Sequence, residues 1–111
     1  MILLPDDYRV LCYSCPVDMR KSFDGLLALT SHELKADPLS RTLFVFVGRS
    51  QKLVKILFWD RTGFCIFAKR LERGRFSLRG NCVSLQELAL FLDGIALGKR
   101  QNARDVIHQQ V

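Results

Sequence analysis

Two strand-like runs on either side of a turn signal constrain the fold more than any other feature of the chain. Residues 52–59 and 64–71 are rich in β-branched and aromatic side chains, and they flank Asp60-Arg61-Thr62-Gly63. Asp at the first turn position and Gly at the last favour a type I turn. We therefore expect a β-hairpin closed with a Gly bulge, in which Trp59 lies near Cys65.

The remaining elements follow from hydrophobic periodicity. Residues 8–13 and 42–47 are predicted strands, and the second is apolar on both faces, as in a central strand. Residues 75–78 are expected to add a short edge strand. One helix is predicted to begin at Asp18 as its capping residue, and a second at Ser84, which opens a capping-box match.

A chain of 111 residues has room for one domain. The pattern predicts a single α+β domain over residues 1–97, with an antiparallel sheet of about four or five strands and two helices packed on one face. The polar tail over residues 98–111 is expected to be flexible.

The cellular location is predicted from two signals that the sequence lacks, a membrane helix and a signal peptide. No apolar run approaches the roughly 18 residues of a membrane helix. Asp6 and Asp7 stand where a signal peptide would carry basic residues. We expect a cytoplasmic protein without a membrane partner, with its four cysteines reduced.

The positive charge of the chain is concentrated in its middle. The whole chain has 17 Lys and Arg against 11 Asp and Glu, a net charge of +6. Residues 49–79 hold nine of these basic residues and two acidic ones, so that the block carries +7 and the rest of the chain −1. Such a block attracts a polyanion, which could be nucleic acid, an acidic protein or anionic lipid, and the alternative explanation is a solvated cationic face.

The predicted hairpin brings some of this charge together. In the expected register Lys55 lies almost opposite Lys69, an unfavourable pair unless an anion lies over it. Trp59 and Phe67 share that face, and rings beside cations are typical of a platform that stacks bases and binds phosphates. The alternative is that both rings belong to the core or lie under the basic side chains. A shift of the register by one residue would exchange Lys69 for Arg70 and keep the cluster.

A second cationic pair lies at the start of the first predicted helix. Arg20 and Lys21 are placed in its first turn, where free backbone amides and two cations could bind an anion. The alternative is a solvent-exposed position without a role.

Cys12 and Cys15 form a CxxC motif between a strand and a helix. Structural zinc would need a second pair, yet Cys65 and Cys82 are isolated in sequence. We therefore interpret the motif as a coincidence of spacing and predict neither a metal site nor another cofactor.

A nuclease is one function class to consider, because nucleic acid is a candidate partner. Asp60 and Glu72 flank Lys69, but Phe67 stands two residues before Lys69, where a metal-binding carboxylate would be needed. Phosphate-binding and nucleophile motifs are also missing from the sequence. The chain is predicted not to be an enzyme.

Several blocks occur together in an order that is specific to one protein family. They are Asp18 to Leu26, Leu43 to Phe46, Lys55 to Phe64, and Lys69 to Phe76. Over about residues 3–97 the chain closely resembles the TnpB (Orf2-like) accessory proteins of the bacterial insertion sequences of family sixty-six. These are distinct from the RNA-guided nuclease that is also called TnpB.

The resemblance implies a small non-catalytic protein that is needed for transposition beside a separate transposase. Our hypothesis is that its basic strand face binds DNA, and the alternative is an adaptor that docks an acidic surface of the transposase. The candidate nucleic-acid-binding residues are Lys55, Trp59, Arg61, Lys69, Arg70, Arg73, Arg75, Arg20 and Lys21.

Overall fold

A four-stranded sheet forms the centre of the computed structural model, which describes residues 7–76 and 85–93. The strands are β1 (Arg9–Cys12), β2 (Thr42–Val47), β3 (Leu53–Asp60) and β4 (Gly63–Arg70), in the spatial order β1-β2-β3-β4. The β2–β3 and β3–β4 pairs are antiparallel, whereas β1 and β2 are parallel.

The predicted α+β class is confirmed, but the sheet is mixed and not wholly antiparallel. The reason is the long connection between β1 and β2, which contains α1 (Phe23–Ala28) and its continuation as a π-helical segment, Leu29–Glu33. This connection carries the chain back to the end of the sheet from which β1 starts, and so β2 runs parallel to β1. The second helix is α2 (Leu85–Leu92).

The two helices cover opposite faces of the sheet, so the prediction that both lie on one face is wrong. On the α1 face, Leu26 of α1 packs with Phe44, Phe46 and Leu57. On the α2 face, three residues of α2 pack against the alternate residues of the same strands. Every residue of β2 is buried, and side chains alternate between faces, so both faces need a cover.

The hairpin is present, with a different turn and register from those predicted. Asp60 pairs with Gly63 and Trp59 with Phe64, so only two residues lie in the loop. Arg61 has a φ of 49°, which is incompatible with the second position of a type I turn. The predicted Gly bulge is therefore wrong, and so is the predicted pairing, since Trp59 lies opposite Phe64 and Cys65 lies opposite Phe58.

Some predicted features lie outside the described residues: Ser84, the second half of the edge strand over residues 75–78, and the tail over residues 98–111. Arg75 and Phe76 are described and belong to no strand. Within residues 7–76 and 85–93, no helix has the length and apolar character needed to cross a membrane.

Candidate nucleic-acid interface

Three connecting loops meet at one end of the sheet. β1 and β2 end there, β3 begins there, and β4 ends there, because β1 is parallel to β2 and the next two pairs are antiparallel. Val17 forms a bridge with Gly48, which joins the first loop to the second. The Leu71 amide donates to the Lys52 carbonyl at 2.8 Å, which joins the second loop to the third.

We call residues 13–21, 48–55 and 69–76 the cationic end. It holds nine basic and two acidic residues, and the basic ones are Arg20, Lys21, Arg49, Lys52, Lys55, Lys69, Arg70, Arg73 and Arg75. The opposite end, residues 7–9, 35–41 and 60–63, has four basic and three acidic residues. These segments therefore carry a net charge of +7 at one end of the strands and +1 at the other. Asp93, which follows α2 and pairs with Lys69, lowers the first value to +6, and the field of the protein stays polarised along the strand direction.

Arg73 and Arg75 lie on a short loop that is fixed at both ends. Beyond the Leu71 contact, the Phe76 amide donates to the Gln51 carbonyl at 2.6 Å, and the Gln51 side chain donates back to the Phe76 carbonyl at 3.2 Å. The Phe76 ring is fully buried and stacks on Phe91 with centroids 5.4 Å apart. Gly74, at a φ of 75°, allows the sharp turn between the two exposed arginines.

Arg49 and Lys52 also belong to the cationic end. The sequence pattern places them in the basic block over residues 49–79 but does not identify them as candidate site residues. They lie in the β2–β3 turn. When three consecutive strands are antiparallel, the turn between the first two and the end of the third lie at the same end of the sheet, so the β2–β3 turn lies beside the end of β4. This topological rule, applied to the predicted strands, is the signal that could have identified them.

Four of the nine cations at the cationic end are already engaged. Arg20 pairs with Asp18 at 2.6 Å, Arg70 with Glu72 at 3.3 Å, and Lys69 with Asp93 at 3.7 Å. The Lys55 ammonium donates to the Lys21 carbonyl at 2.8 Å.

The other five form no ion pair with any residue that the structure describes: Lys21, Arg49, Lys52, Arg73 and Arg75. Four of them are exposed, and Lys52 is half-buried. Their charge is available to a partner without the loss of an existing pair.

Lys55 and Lys69 do not face each other, which corrects the predicted pair. Lys55 pairs with Ala68 on the α1 face, and Lys69 pairs with Val54 on the α2 face. The register differs by one residue from the predicted one, and Arg70 takes the place of Lys69, as expected for such a shift. Arg70 lies on the α1 face as a diagonal neighbour of Lys55. Both lysines remain at the cationic end of the strands.

The predicted aromatic platform is not assembled. Trp59 lies near the opposite end of β3 and makes an edge contact with Phe64, with centroids 5.0 Å apart. Phe67 lies on the other face, against the α2 core. Arg61 lies in the turn at the opposite end. Trp59 and Arg61 are therefore separated from the other candidate residues by nearly the length of the hairpin.

Arg20 and Lys21 precede the first helix and do not form its first turn, so the prediction of their position is wrong. The helix begins at Phe23, with Ser22 in the capping position. Asp18 does not cap it, because its carboxylate accepts hydrogen bonds from the Arg20 backbone amide at 2.9 Å and from the Arg20 guanidinium. This local ring of contacts competes with helix initiation, as Asp side chains often do.

The same contacts predict the titration of Asp18. Hydrogen bonds from the Arg20 side chain and backbone lower the pKa of the Asp18 carboxyl far below its usual range. A lowered pKa means that the contact is intact above the unfolded pKa near 4 and is lost as the pH falls through the folded pKa. Carboxyl-carbon NMR should show Asp18 titrating below the usual range of an aspartate, and the Arg20→Ala variant should return its pKa towards the usual value. An unchanged Asp18 titration in that variant would contradict the pairing.

Cys12 ends β1 and is half-buried, while Cys15 is exposed. Across residues 7–76 and 85–93, no three His, Cys, Asp or Glu side chains lie close enough together to hold a metal ion.

Comparison with known proteins gives the family. A family model described as IS66 Orf2 like protein matches residues 8–102. The Sinorhizobium fredii protein y4hO, described as uncharacterized, is 42% identical over 92 residues, which cover 78% of this chain and 80% of that protein. A second protein of that organism, y4jC, also described as uncharacterized, is 35% identical over 68 residues, 61% of this chain and 58% of its own length. No solved structure matches. The chain therefore belongs to the IS66 Orf2-like family of accessory proteins in insertion-sequence transposition.

Proposed function

We propose that the protein binds DNA through the cationic end of its sheet and, in this way, acts with the transposase of its element. The observation that carries the proposal is the polarised charge, +7 at the cationic end against +1 at the opposite end. The family supplies the process, transposition, in which the principal polyanion is DNA.

The state of the individual cations supports this proposal. Lys21, Arg49, Lys52, Arg73 and Arg75 form no ion pair within the described part of the chain, so a phosphate does not have to displace a carboxylate from them. Arg73 and Arg75 are held on a loop anchored by Leu71 and Phe76, which lowers the entropy lost when they bind. These five are the proposed primary phosphate contacts.

The other candidate residues receive narrower roles. Lys69 and Arg70 are each paired with one carboxylate, Arg20 is paired with Asp18, and Lys55 is bound to a backbone carbonyl. We propose that these four add to the attractive field and contact phosphates at the border of the site. Trp59 and Arg61 lie outside the proposed interface.

The salt dependence of binding tests the proposal. Fluorescence anisotropy with a labelled 20-base-pair duplex should show an affinity that falls between 50 and 200 mM salt. Five phosphates at roughly 0.9 each give a slope of about −4 to −5 in log affinity against log salt, or a loss of several hundredfold. Absence of binding to any DNA at 50 mM salt would refute the proposal.

A protein partner is the second candidate function, because a surface of net charge +7 also complements an acidic protein surface. In that case the protein does not bind DNA at low salt but forms a complex with the transposase of its element, and this complex is weakened by salt. Co-purification of the two proteins, measured beside the anisotropy assay, separates the candidates.

A further inference from the structure

We infer that the cationic end binds the phosphates of double-stranded DNA and does not use base stacking to hold a single strand. This inference rests on the proposed function and narrows the class of DNA that the site accepts. The evidence is the position of the aromatic side chains relative to the nine cations.

The cationic end itself has two aromatic residues among those the structure describes, Tyr13 and Phe76. One exposed ring borders it: Phe23 follows Lys21 by two residues, at the start of α1, and is 45% exposed. The Phe76 ring is fully buried and stacked on Phe91. The Tyr13 ring is half-buried and contacts Phe46 in a tilted arrangement, with centroids 6.0 Å apart. Proteins that hold single strands without sequence preference combine cations with several rings on which successive bases stack, and one exposed ring at the border does not make such a series.

Trp59 is too far along β3 to supply a second ring. Six residues separate it from Leu53 at the cationic end of the strand. At about 3.3 Å per residue, this is a distance of about 20 Å. The Trp59 ring is also half-buried and occupied by its contact with Phe64.

The width of the cationic end suits a duplex. Four strands at about 4.8 Å spacing make this end of the sheet about 14 Å wide before side chains are added. The minor groove of B-DNA is about 6 Å wide, so phosphates of both strands come within reach of the same surface. A single strand presents one row of phosphates at lower charge density and gains less from the same cations.

The test compares a labelled 20-base-pair duplex with one of its strands, at equal salt and with the unmodified protein. We expect the duplex to bind about tenfold or more tightly. Phe23→Ala removes the exposed ring beside Lys21 and should leave both affinities within about twofold, whereas a selective loss of single-strand binding would overturn the inference. Trp59 is the only tryptophan, so its fluorescence reports stacking on its own ring. That fluorescence should stay unchanged when either DNA binds, and Trp59→Ala, checked for folding by circular dichroism, should leave both affinities within about twofold.

The outcomes separate this inference from the function on which it rests. Equal or tighter binding of the single strand, or quenching of Trp59 fluorescence by it, overturns the inference and leaves the proposed DNA binding intact. Failure of both DNAs to bind at 50 mM salt overturns the proposed function itself. Because the fluorescence measurement uses the unmodified protein, the test does not depend on the folding of the Trp59→Ala variant.

Discussion

Changing Arg73 and Arg75 together to Glu is expected to weaken DNA binding by a hundredfold or more at 100 mM salt. Two attractive charges are lost and two repulsive ones are introduced, each worth on the order of a tenfold change or less near a phosphate in water. The slope of log affinity against log salt should also fall by about two, one unit for each phosphate contact removed. Anisotropy with the same labelled duplex measures both quantities.

The matched control places the same change of charge at the opposite end. Arg9→Glu with Arg61→Asp alters the net charge equally, and Asp suits the positive φ of position 61. We expect this variant to lose less than about tenfold in affinity and to keep the salt slope. Equal losses in the two variants would show that only total charge matters and that the cationic end is not the binding site.

Changing Phe46 to Ala is expected to destabilise the fold by about 3–5 kcal/mol. The side chain is fully buried in β2 on the α1 face, packed with Leu26, Phe44 and Leu57. Small domains have a free energy of unfolding of about 5–15 kcal/mol, so this loss is a large part of the total. Urea denaturation followed by Trp59 fluorescence should show the lowered midpoint.

Phe23→Ala is the control for this stability measurement. It removes the same side chain from a position that is 45% exposed, at the start of α1. The expected loss is below about 1 kcal/mol, because surface substitutions seldom leave a cavity. Similar losses at positions 23 and 46 would contradict the placement of the core on the α1 face.

Strand positions could be predicted from the sequence, because strand patterns are local. The run Thr42–Val47 is apolar at every position, and this correctly identified a central strand buried on both faces. The same feature should also have indicated that both faces of the sheet are covered. The prediction of two helices on one face overlooked this consequence.

The start of the first helix could not be predicted from local signals. Asp18 has the identity of a capping residue, but its carboxylate binds Arg20 two residues later. Both possible partners, the amides of the first helical turn and Arg20, lie within a few residues of Asp18, so residue identities alone do not choose between them.

The sequence by itself determined the family, the hairpin and the +7 of the central block. Only the tertiary structure decided which basic residues lie together, since it separates Arg61 of that block from the cationic end and adds Arg20 and Lys21 from outside the block. A one-residue difference in register moves every side chain of β4 to the other face, which separated Lys69 from Lys55 and Phe67 from Trp59. The topology of the sheet then brought three loops to one end, and this added Arg49 and Lys52 to Arg73 and Arg75. Net charge is a property of composition, but the distribution of charge over the ends and faces of the sheet follows from strand order and register, which long-range packing sets.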